Sequence, residues 1–488
     1  MARSPLARAA FQASVQSQPV LPQIRLYNSL TRRAEPLVPL EPGRVGIYTC
    51  GSTVYKYAHI GNLRTYLFGD LLHRTLEYLG YEVRYVKNIT DVGHMRNDDH
   101  DSLASDADKI ELAAETEGKT PAEIADYYTA AWLEDEALLN ILPADVMPRA
   151  TDHIGEMISL TQTLLERGLA YEVNGTVYYD VGAFPDYGKL SGQRVEEMRA
   201  GHRVEVETDK RDLADFALWK AAGHHRLMRW RSPWGDGFPG WHIECSAMSL
   251  KHLGERFDIH TGGIDLKFPH HEDEMAQSEG ALGHEVVSIW MHGEFLTMDD
   301  AKMAKSTGNV LRVADLPAMG YEPLVFRYLA LTAHYRSKLD FTADAMHAAA
   351  SGLARLRRVV SGGPANSSVD LSREPMVTYR ERFADAIADD LGLPRALATA
   401  QSVAAAADLT PGQRRALLLD FDRVLGLSLD APLAASTPLP EGAAELLERR
   451  AAARAARDFA ASDALRDELA AMGVEVRDTP EGQETTVR

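Results

Sequence analysis

Two cysteines, a histidine and a glutamate are spaced in a way that suits metal binding. Cys50 follows a short β-prone run, and Cys245 lies in the string Trp-His-Ile-Glu-Cys. His270 and Glu274 are four residues apart, so a helix across them would place both on one face. Two thiolates, one imidazole and one carboxylate suit a tetrahedral Zn²⁺ site. His271 competes with His270 for the third position, and two buried cysteines or a disulfide are the alternatives to a metal.

Two further groups of residues suit phosphate. His59, Gly61 and Asn62 lie between a predicted strand and a predicted helix, where the helix N-terminus favours an anion. His59 adds a side-chain donor that can stabilise charge on a phosphate under attack. Lys302 and Lys305 lie far downstream in the string Lys-Met-Ala-Lys-Ser, and flexible ammonium groups suit a shifting pyrophosphate. Taken singly, these patterns are also those of a capped turn and of a basic surface loop.

The elements that must position these residues begin with a βαβ unit. Residues 45–49 are β-prone, apolar residues recur at helical spacing from 61 to 79, and residues 81–86 alternate as in a strand. Gly80 lies where a left-handed cap would end the helix. Strand, helix and strand in this order predict a parallel sheet.

The chain between about residues 111 and 225 is predicted to be an insertion between two halves of the sheet domain. Thr120, Pro121 and Glu123 have the types of a helix N-cap, a first-turn proline and a capping-box acid. Other predicted elements are a helix from Thr120 to about residue 142, a helix over 151–167, a strand over 176–181, sheet-like patterning from Trp241 to residue 260, and an almost wholly helical pattern from about residue 314.

The composition excludes several classes of protein. The chain has 488 residues, of which 45% are hydrophobic and 25% charged, so collagen-like, disordered and membrane proteins are excluded. The net charge of −19 does not decide whether the partner is a nucleic acid, because phosphate affinity depends on local basic patches. Two cysteines are too few for a disulfide scaffold and indicate a reducing, cytoplasmic setting. Residues 1–24 are predicted to be a disordered tail, with a mitochondrial transit peptide as the alternative.

Taken together, these motifs identify a family. The histidine turn followed by the lysine loop resembles the two-part signature of class I aminoacyl-tRNA synthetases. The cysteine-containing strings resemble cysteinyl-tRNA synthetases more specifically, and the resemblance runs from about residue 26 to the end. The shared strings, in chain order, include Ile-Tyr-Thr-Cys-Gly, Ala-His-Ile-Gly-Asn, Asn-Ile-Thr-Asp-Val, Gly-Trp-His-Ile-Glu-Cys-Ser-Ala-Met, Phe-Pro-His-His-Glu and Lys-Met-Ala-Lys-Ser.

The resemblance implies an α/β fold with a Rossmann-type parallel-sheet catalytic domain, an inserted connective domain, a helical bundle and a small C-terminal anticodon-binding module. The implied boundaries are 25–110 and 226–320 for the two catalytic halves, 111–225 for the connective domain, 321–437 for the stem-contact region and tRNA-binding bundle, and 438–488 for the anticodon module. In the last module, Arg450, Arg454 and Arg457 would share one helix face and contact anticodon phosphates.

The resemblance also implies an activity. L-cysteine would react with ATP, accompanied by Mg²⁺, to give cysteinyl-adenylate, and the acyl group would pass to the 3′ end of tRNA(Cys) on a monomeric enzyme. One Zn²⁺ per chain would select the substrate thiol against the serine hydroxyl, because a steric pocket separates near-isosteres poorly.

The family roles carry over residue by residue. The implied zinc ligands are Cys50, Cys245, His270 and Glu274; the implied ATP-binding residues are His59, Gly61, Asn62, Asp265 and Lys305, with His59, Lys302 and Lys305 acting in catalysis; the implied amino-acid pocket is Gly51, Thr53 and Trp241.

Some features depart from the family pattern. Ser52 stands where the family usually has proline, and Asp91-Val92-Gly93-His94 stands where the family commonly has Asp-x-Asp-Asp.

Two alternative functions are a ligase that joins activated cysteine to a small amine and a non-enzymatic zinc or nucleotide binder. The first has no need of an anticodon module, and the retained histidine and lysine motifs argue against the second.

Overall fold

A computed structural model describes most of the chain, namely residues 22–93, 108–193, 209–223, 225–298, 301–302, 311–364, 369–431, 440, 442–479 and 482–487. The strands are β1 Arg25–Asn28, β2 Arg33–Pro36, β3 Arg44–Thr49, β4 Glu82–Lys87, β5 Ala170–Val173, β6 Thr176–Tyr179, β7 Phe216–Ala221, β8 Trp230–Ser232, β9 Gly235–Pro239, β10 Phe257–Gly263, β11 Val287–Gly293, β12 Leu296–Met298, β13 Ala301–Lys302, β14 Leu339–Phe341, β15 Val474–Thr479 and β16 Gly482–Val487. The α-helices are α1 Ile60–Tyr78, α2 Lys109–Glu117, α3 Pro121–Leu138, α4 Ile154–Glu166, α5 Trp241–Leu253, α6 Glu272–Leu282, α7 Pro323–Leu331, α8 Ala343–Gly362, α9 Met376–Ala388, α10 Leu393–Ala405, α11 Pro411–Leu425, α12 Ala443–Ala455 and α13 Phe459–Ala471.

A four-stranded parallel sheet lies at the centre of the larger unit. Its strand order is β11-β10-β3-β4, and every neighbouring pair is parallel. The predicted βαβ unit is confirmed as β3, α1 and β4, with Gly80 at φ +91° just after the helix. From β3 the chain adds β4 on one side and later β10 on the other, so the strand order reverses between β3 and β10. In open α/β sheets, ligands bind at the carboxyl ends of the strands at such a reversal.

Both faces of this sheet are covered. Ile47 and Tyr85 enter one hydrophobic core, which also contains α1, α3 and the bundle helices α8 to α11. Their neighbours Tyr48 and Val86 enter a second core with α4, α5 and α6. This alternation follows from the two-residue period of a strand.

The insertion contains helices and an antiparallel sheet. The predicted capping box at Thr120 is confirmed, because Glu123 N–H donates to Thr120 Oγ1 at 3.2 Å and Glu123 accepts from Thr120 N–H at 2.8 Å. Five strands form an antiparallel sheet in the order β5-β6-β7-β9-β8. That sheet continues to Pro239, past residue 225.

The prediction of sheet-like structure from Trp241 to residue 260 is confirmed for the part from Phe257, which lies in β10, and wrong for the part before it. Residues Trp241–Leu253 form helix α5, and its residues from His242 to Ser249 are all buried. A helix buried on every side has no polar face, so its sequence lacks the periodicity that identifies surface helices.

A buried ionic cluster joins the sheet region to the helices that follow it. Asp70 on α1 accepts from Arg327 Nη2 at 2.6 Å, from Arg74 Nε at 2.9 Å and from Leu142 N–H at 2.8 Å. Arg327 on α7 is fully buried and also donates to the carbonyl oxygens of Leu425 and Leu139 at 2.6 and 2.9 Å. Asp70 therefore ties α1 to the middle of α7, and Arg327 carries the connection on to the C-terminal ends of α3 and α11.

The described chain divides into two compact units. One contains the residues up to Pro317 and from Tyr321 to Leu429, and the other contains Ala318–Gly320 and the residues from Asp430 on. In the smaller unit, α12 and α13 precede the β15–β16 hairpin. Among the described helices, none combines the length and hydropathy that a membrane span requires.

The predicted arginine stripe in the smaller unit is wrong. Arg450 is fully buried and donates to both carboxylate oxygens of Asp478, at 2.8 and 2.9 Å. Helix α12 ends at Ala455, so Arg457 lies beyond it, with φ +61°. Arg454 lies on the helix, 3.1 Å from Asp478. Helical spacing cannot reveal Asp478, because this partner comes from a strand 28 residues away.

Candidate metal and adenylation site

The four predicted metal ligands come together at the strand-order reversal. Cys50 directly follows β3, Cys245 lies on α5, His270 lies in the turn Lys267–His271, and Glu274 lies in the first turn of α6. One ligand atom from each lies within 4.8 Å of the others, and all four residues are buried. Cys50 Sγ is 3.8 Å from Cys245 Sγ and 3.5 Å from Glu274 Oε1, which is 3.1 Å from His270 Nε2.

Both alternatives to a metal site can be compared with this geometry. Cys50 and Cys245 are free thiols 3.8 Å apart, well beyond the ~2.05 Å of a disulfide bond. Two merely buried cysteines would not need an imidazole and a carboxylate beside them. The donor set fits Zn²⁺ in kind and number.

His271 also reaches the cluster. Its Nε2 is 3.4 Å from Cys50 Sγ and 4.0 Å from Glu274 Oε1. A second set of possible ligands therefore consists of Cys50, His260, His271 and Glu274. His260 was not predicted from the sequence. Its Nε2 lies 2.9 Å from Glu274 Oε2, the carboxylate oxygen that does not contact Cys50. This contact orients Glu274 so that Oε1 faces the thiols.

His270 is oriented by a hydrogen-bonded chain that the sequence did not reveal. Its Nδ1 is 2.9 Å from His242 Nδ1, and His242 Nε2 is 3.2 Å from Asp273 Oδ2. When His242 donates from Nε2 to the carboxylate, its Nδ1 accepts from His270 Nδ1–H. His270 Nε2 then presents a lone pair to the cluster, as a metal ligand must.

Burial dominates the electrostatics of the cluster. It raises the pKa of the Cys50 and Cys245 thiols and lowers the pKa of His270 to about 3. Burial also raises the pKa of Asp273, whereas a hydrogen bond from Tyr187 lowers it. A cation reverses this balance, because it favours thiolates and carboxylates and compensates their buried charge.

The histidine turn has the predicted form. His59 is the N-cap of α1: its Nδ1 accepts from Asn62 N–H, and Asn62 Oδ1 accepts from His59 N–H, both at 3.2 Å. Because Nδ1 is an acceptor here, the neutral ring carries its proton on Nε2, which supplies the predicted side-chain donor. A Cβ at Gly61 would lie 2.9 Å from His59 Nδ1, so glycine leaves room for the ring. Ile60 N–H donates to Leu311 O at 2.9 Å, which ties the turn to the chain just after the lysine loop.

Part of the lysine loop lies outside the described residues. Lys302 is the last residue of β13, and its backbone pairs with Thr297 of β12. Lys305 falls in the undescribed segment 303–310, so its predicted role stays a prediction.

Two of the three residues predicted for the amino-acid pocket adjoin the cluster: Gly51 directly follows Cys50, and Trp241 packs on His270. Gly51 N–H donates to Asn88 Oδ1 at 2.8 Å, and a side-chain carbon at Gly51 would overlap the Asn88 carbonyl oxygen. Thr53 pairs with Thr90 in a parallel bridge. The Trp241 ring centroid is 4.3 Å from that of His270, so the indole covers a proposed metal ligand.

Two other residues singled out from the sequence lie at the same edge of the sheet. Asp265 is exposed just beyond β10, next to Gly263. Gly93, a departure from the family pattern, has a physical reason: a Cβ there would overlap the carboxylate of Asp108. Asp108 caps α2 through Ile110 N–H at 2.8 Å and is paired with Arg226.

Comparison with known proteins shows the family. A family model described as the tRNA synthetases class I (C) catalytic domain matches residues 36–351, and one described as the cysteinyl-tRNA ligase anticodon binding domain matches residues 436–488. The cysteine–tRNA ligase of Thermus thermophilus is 46% identical over 476 residues, which cover 94% of this chain and 98% of that protein. Cysteine–tRNA ligase 1 of Burkholderia lata is 45% identical over 463 residues, covering 94% and 96%.

A solved structure supports the fold. Methionyl-tRNA synthetase of Mycobacterium tuberculosis, in complex with methionyl-adenylate, superimposes with a TM-score of 0.53 at 18% identity and covers 86% of this chain and 96% of that one. The α/β class with a parallel sheet followed by helices is therefore as predicted. The chain belongs to the cysteine–tRNA ligase family of class I aminoacyl-tRNA synthetases.

Proposed function

We propose that this chain activates L-cysteine with ATP and transfers it to tRNA(Cys), and that a Zn²⁺ ion held by Cys50, Cys245, His270 and Glu274 selects the substrate. The observation that carries this proposal is the buried four-donor cluster at the strand-order reversal, with the histidine turn following the same strand, β3. When bound, the ion supplies affinity for a thiolate that a serine hydroxyl cannot match.

The chain's own residues shape the cysteine site around the cluster. The Trp241 indole covers His270 and closes one side of the pocket. Gly51 lets the backbone directly after Cys50 pack against Asn88, where any side chain would overlap the Asn88 carbonyl oxygen. A pocket of this kind positions the cysteine carboxylate for reaction without a protein nucleophile.

Adenylation then depends on positioning and charge stabilisation. The N-terminus of α1 and the His59 Nε2–H face the ATP phosphates, where negative charge develops as pyrophosphate leaves. Lys302 and Lys305 neutralise the pyrophosphate, Mg²⁺ accompanies ATP, and Asp265 binds its ribose. The cysteine carboxylate attacks the α-phosphate directly.

Transfer requires the tRNA to be held at a second place. In this proposal, residues 321–437 contact the tRNA stem and residues 438–488 read the anticodon. Of the three arginines in the predicted stripe, Arg454 is the one that lies on helix α12 and is also exposed, with 41% of its side chain accessible. The enzyme acts as a monomer in the cytoplasm.

Metal analysis and an exchange assay test the proposal. Freshly purified protein should contain one Zn²⁺ per chain, and Cys245→Ser should lose both the metal and most cysteine-dependent ATP–pyrophosphate exchange. Protein without zinc, yet active with cysteine, would refute the metal site. His270→Ala and His271→Ala form a matched pair; loss of zinc only in His271→Ala would assign the third ligand to His271.

A small-amine ligase is tested separately. Such an enzyme would show full cysteine-dependent exchange and no charging of tRNA(Cys). We expect charging, so its absence with intact exchange would reject the proposed acceptor and leave adenylation standing.

A further inference from the structure

A loop of the insertion is fastened onto the first turn of α6, where Glu274 lies. Glu272 accepts from the backbone N–H groups of Gly188 and Ser191, at 2.9 and 2.6 Å. Lys189 Nζ lies 2.7 Å from Glu279 Oε2, which is about two helical turns further along α6. The loop, residues 187–191, is therefore held at both the first and the third turn of this helix.

The loop places one hydroxyl group on the next acidic residue. Tyr187 is buried and donates from its hydroxyl to Asp273 Oδ1. The other oxygen of Asp273 faces His242 Nε2 at 3.2 Å, and His242 Nδ1 faces His270 Nδ1 at 2.9 Å. Three side chains thus connect the loop to a proposed metal ligand.

From these contacts we infer that Tyr187 is a positioning residue for His270, acting through Asp273 and His242. The inference rests on the proposed metal function of His270. Three consecutive acidic residues then have separate roles. Glu272 holds the loop, Asp273 transmits its position to His242, and Glu274 binds the metal.

The physical basis is the orientation of one carboxylate. A hydroxyl donating to Oδ1 fixes the plane of the Asp273 side chain, so Oδ2 stays directed at His242. His242 in turn fixes the ring of His270, with Nδ1 as donor and Nε2 toward the cluster. Partners of metal-binding histidines set the orientation and basicity of the ligand, and losing one typically weakens metal binding 10- to 100-fold.

A matched pair of tyrosine variants tests the inference. Tyr187→Phe removes the hydroxyl of the relay and keeps the ring. Tyr179→Phe also removes a buried hydroxyl that contacts α6, since Tyr179 donates to Ala276 O at 2.9 Å, but that hydroxyl lies off the relay. The measurements are Zn²⁺ affinity, by competition with a chelator, and the visible absorption spectrum of the Co²⁺-substituted protein.

We expect Tyr187→Phe to weaken Zn²⁺ binding about tenfold and to change the Co²⁺ spectrum, since a ligand nitrogen is reoriented. Tyr179→Phe should stay within about twofold of wild type. Equal effects of the two variants, or no effect of Tyr187→Phe, would overturn the inference. A wild-type protein that binds no Zn²⁺ would overturn the proposed metal site, and the relay with it.

A double-mutant cycle tests the route. In a His242→Leu background, which has neither donor nor acceptor, Tyr187→Phe should cause no further loss of Zn²⁺ affinity, because the relay is already broken. The same tenfold loss in both backgrounds would show that Tyr187 acts by another route and would overturn the inference.

Discussion

At the scale of single residues, Gly51 shows how closely the backbone packs at the site. Its N–H donates to Asn88, and its Cα leaves no room for a methyl group beside the Asn88 carbonyl. We expect Gly51→Ala to displace Cys50 and its neighbours and to lower cysteine-dependent exchange about 100-fold, as misplacement by ~1 Å can. Gly155→Ala is the control, because a Cβ there meets nothing within 4 Å. Unchanged exchange in Gly51→Ala would contradict the tight approach.

Burial of Asp135 makes the stability of the folded protein depend on pH. The side chain is buried on α3, and burial raises its pKa to about 6 from an ordinary value near 3.8; Arg312 acts in the opposite direction. The folded state therefore holds this proton more tightly than the unfolded state. Stability falls as pH rises from about 4 to 6, and the full penalty remains above pH 6.

Asp135→Asn should remove that penalty. We expect the variant to be more stable than wild type by up to about 3 kcal/mol at pH 7.5 and nearly equal to it near pH 4, where Asp135 of the folded wild type is already neutral. Calorimetric Tm values of both proteins at the two pH values check this. The same gain at both pH values would mean that the pKa of Asp135 is not raised by folding.

At the scale of elements, the sequence predicted what depends on near neighbours. The capping box at Thr120 and the cap at Gly80 were predictable, because their partners lie within a few residues. Helix α5 was not, since burial on all sides removes its periodicity.

Within the site, the same distinction holds. The spacing of His270 and Glu274 was visible in the sequence, whereas His242, His260 and Asp273 have no local pattern that marks them. Their roles arise from side-chain contacts between separate elements, and only the packed structure brings those elements together.

The contact of α1 with α7 gives the sharpest prediction at this scale. Asp70→Ala would leave Arg327 buried without its carboxylate, which costs about 3–5 kcal/mol in comparable cases. We expect a correspondingly lower Tm. Glu41→Ala, which removes an exposed ion pair with Arg44 at 3.2 Å, should change stability by less than ~1 kcal/mol. Equal effects of the two variants would show that the Asp70 cluster is not a structural centre.

At the scale of the whole molecule, activation and tRNA recognition should be separable. All four proposed metal ligands and His59 belong to the larger unit, and the smaller unit has its own core around Leu469 and Val474. Deleting the chain after Pro438 should leave cysteine-dependent exchange near wild type. Charging of tRNA(Cys) should fall sharply, mainly through weaker tRNA binding. Undiminished charging would show that residues 439–488 do not contribute to tRNA recognition.

Two arginine variants refine that experiment. Arg450→Ala should unfold the smaller unit, because it breaks a buried pair with Asp478, and should therefore match the truncation. Arg454→Ala should keep the unit folded and weaken tRNA binding alone. Circular dichroism and tRNA-binding measurements distinguish these outcomes; an unfolded Arg454→Ala variant would contradict this assignment.

The positions of the proposed metal ligands along the chain also determine when the site can form during biosynthesis. Cys50 and Glu274 are 224 residues apart, which a ribosome covers in roughly 10 to 45 seconds. Strand β10, which pairs with β3, is synthesised late in the same interval. During that time the nascent Cys50 thiol has left the ribosome while its fellow ligands are still being made. Binding of the proposed Zn²⁺ would therefore be a late event in the synthesis of each molecule, and a growing chain carries an unliganded Cys50 thiol until the second half of the sheet has been made.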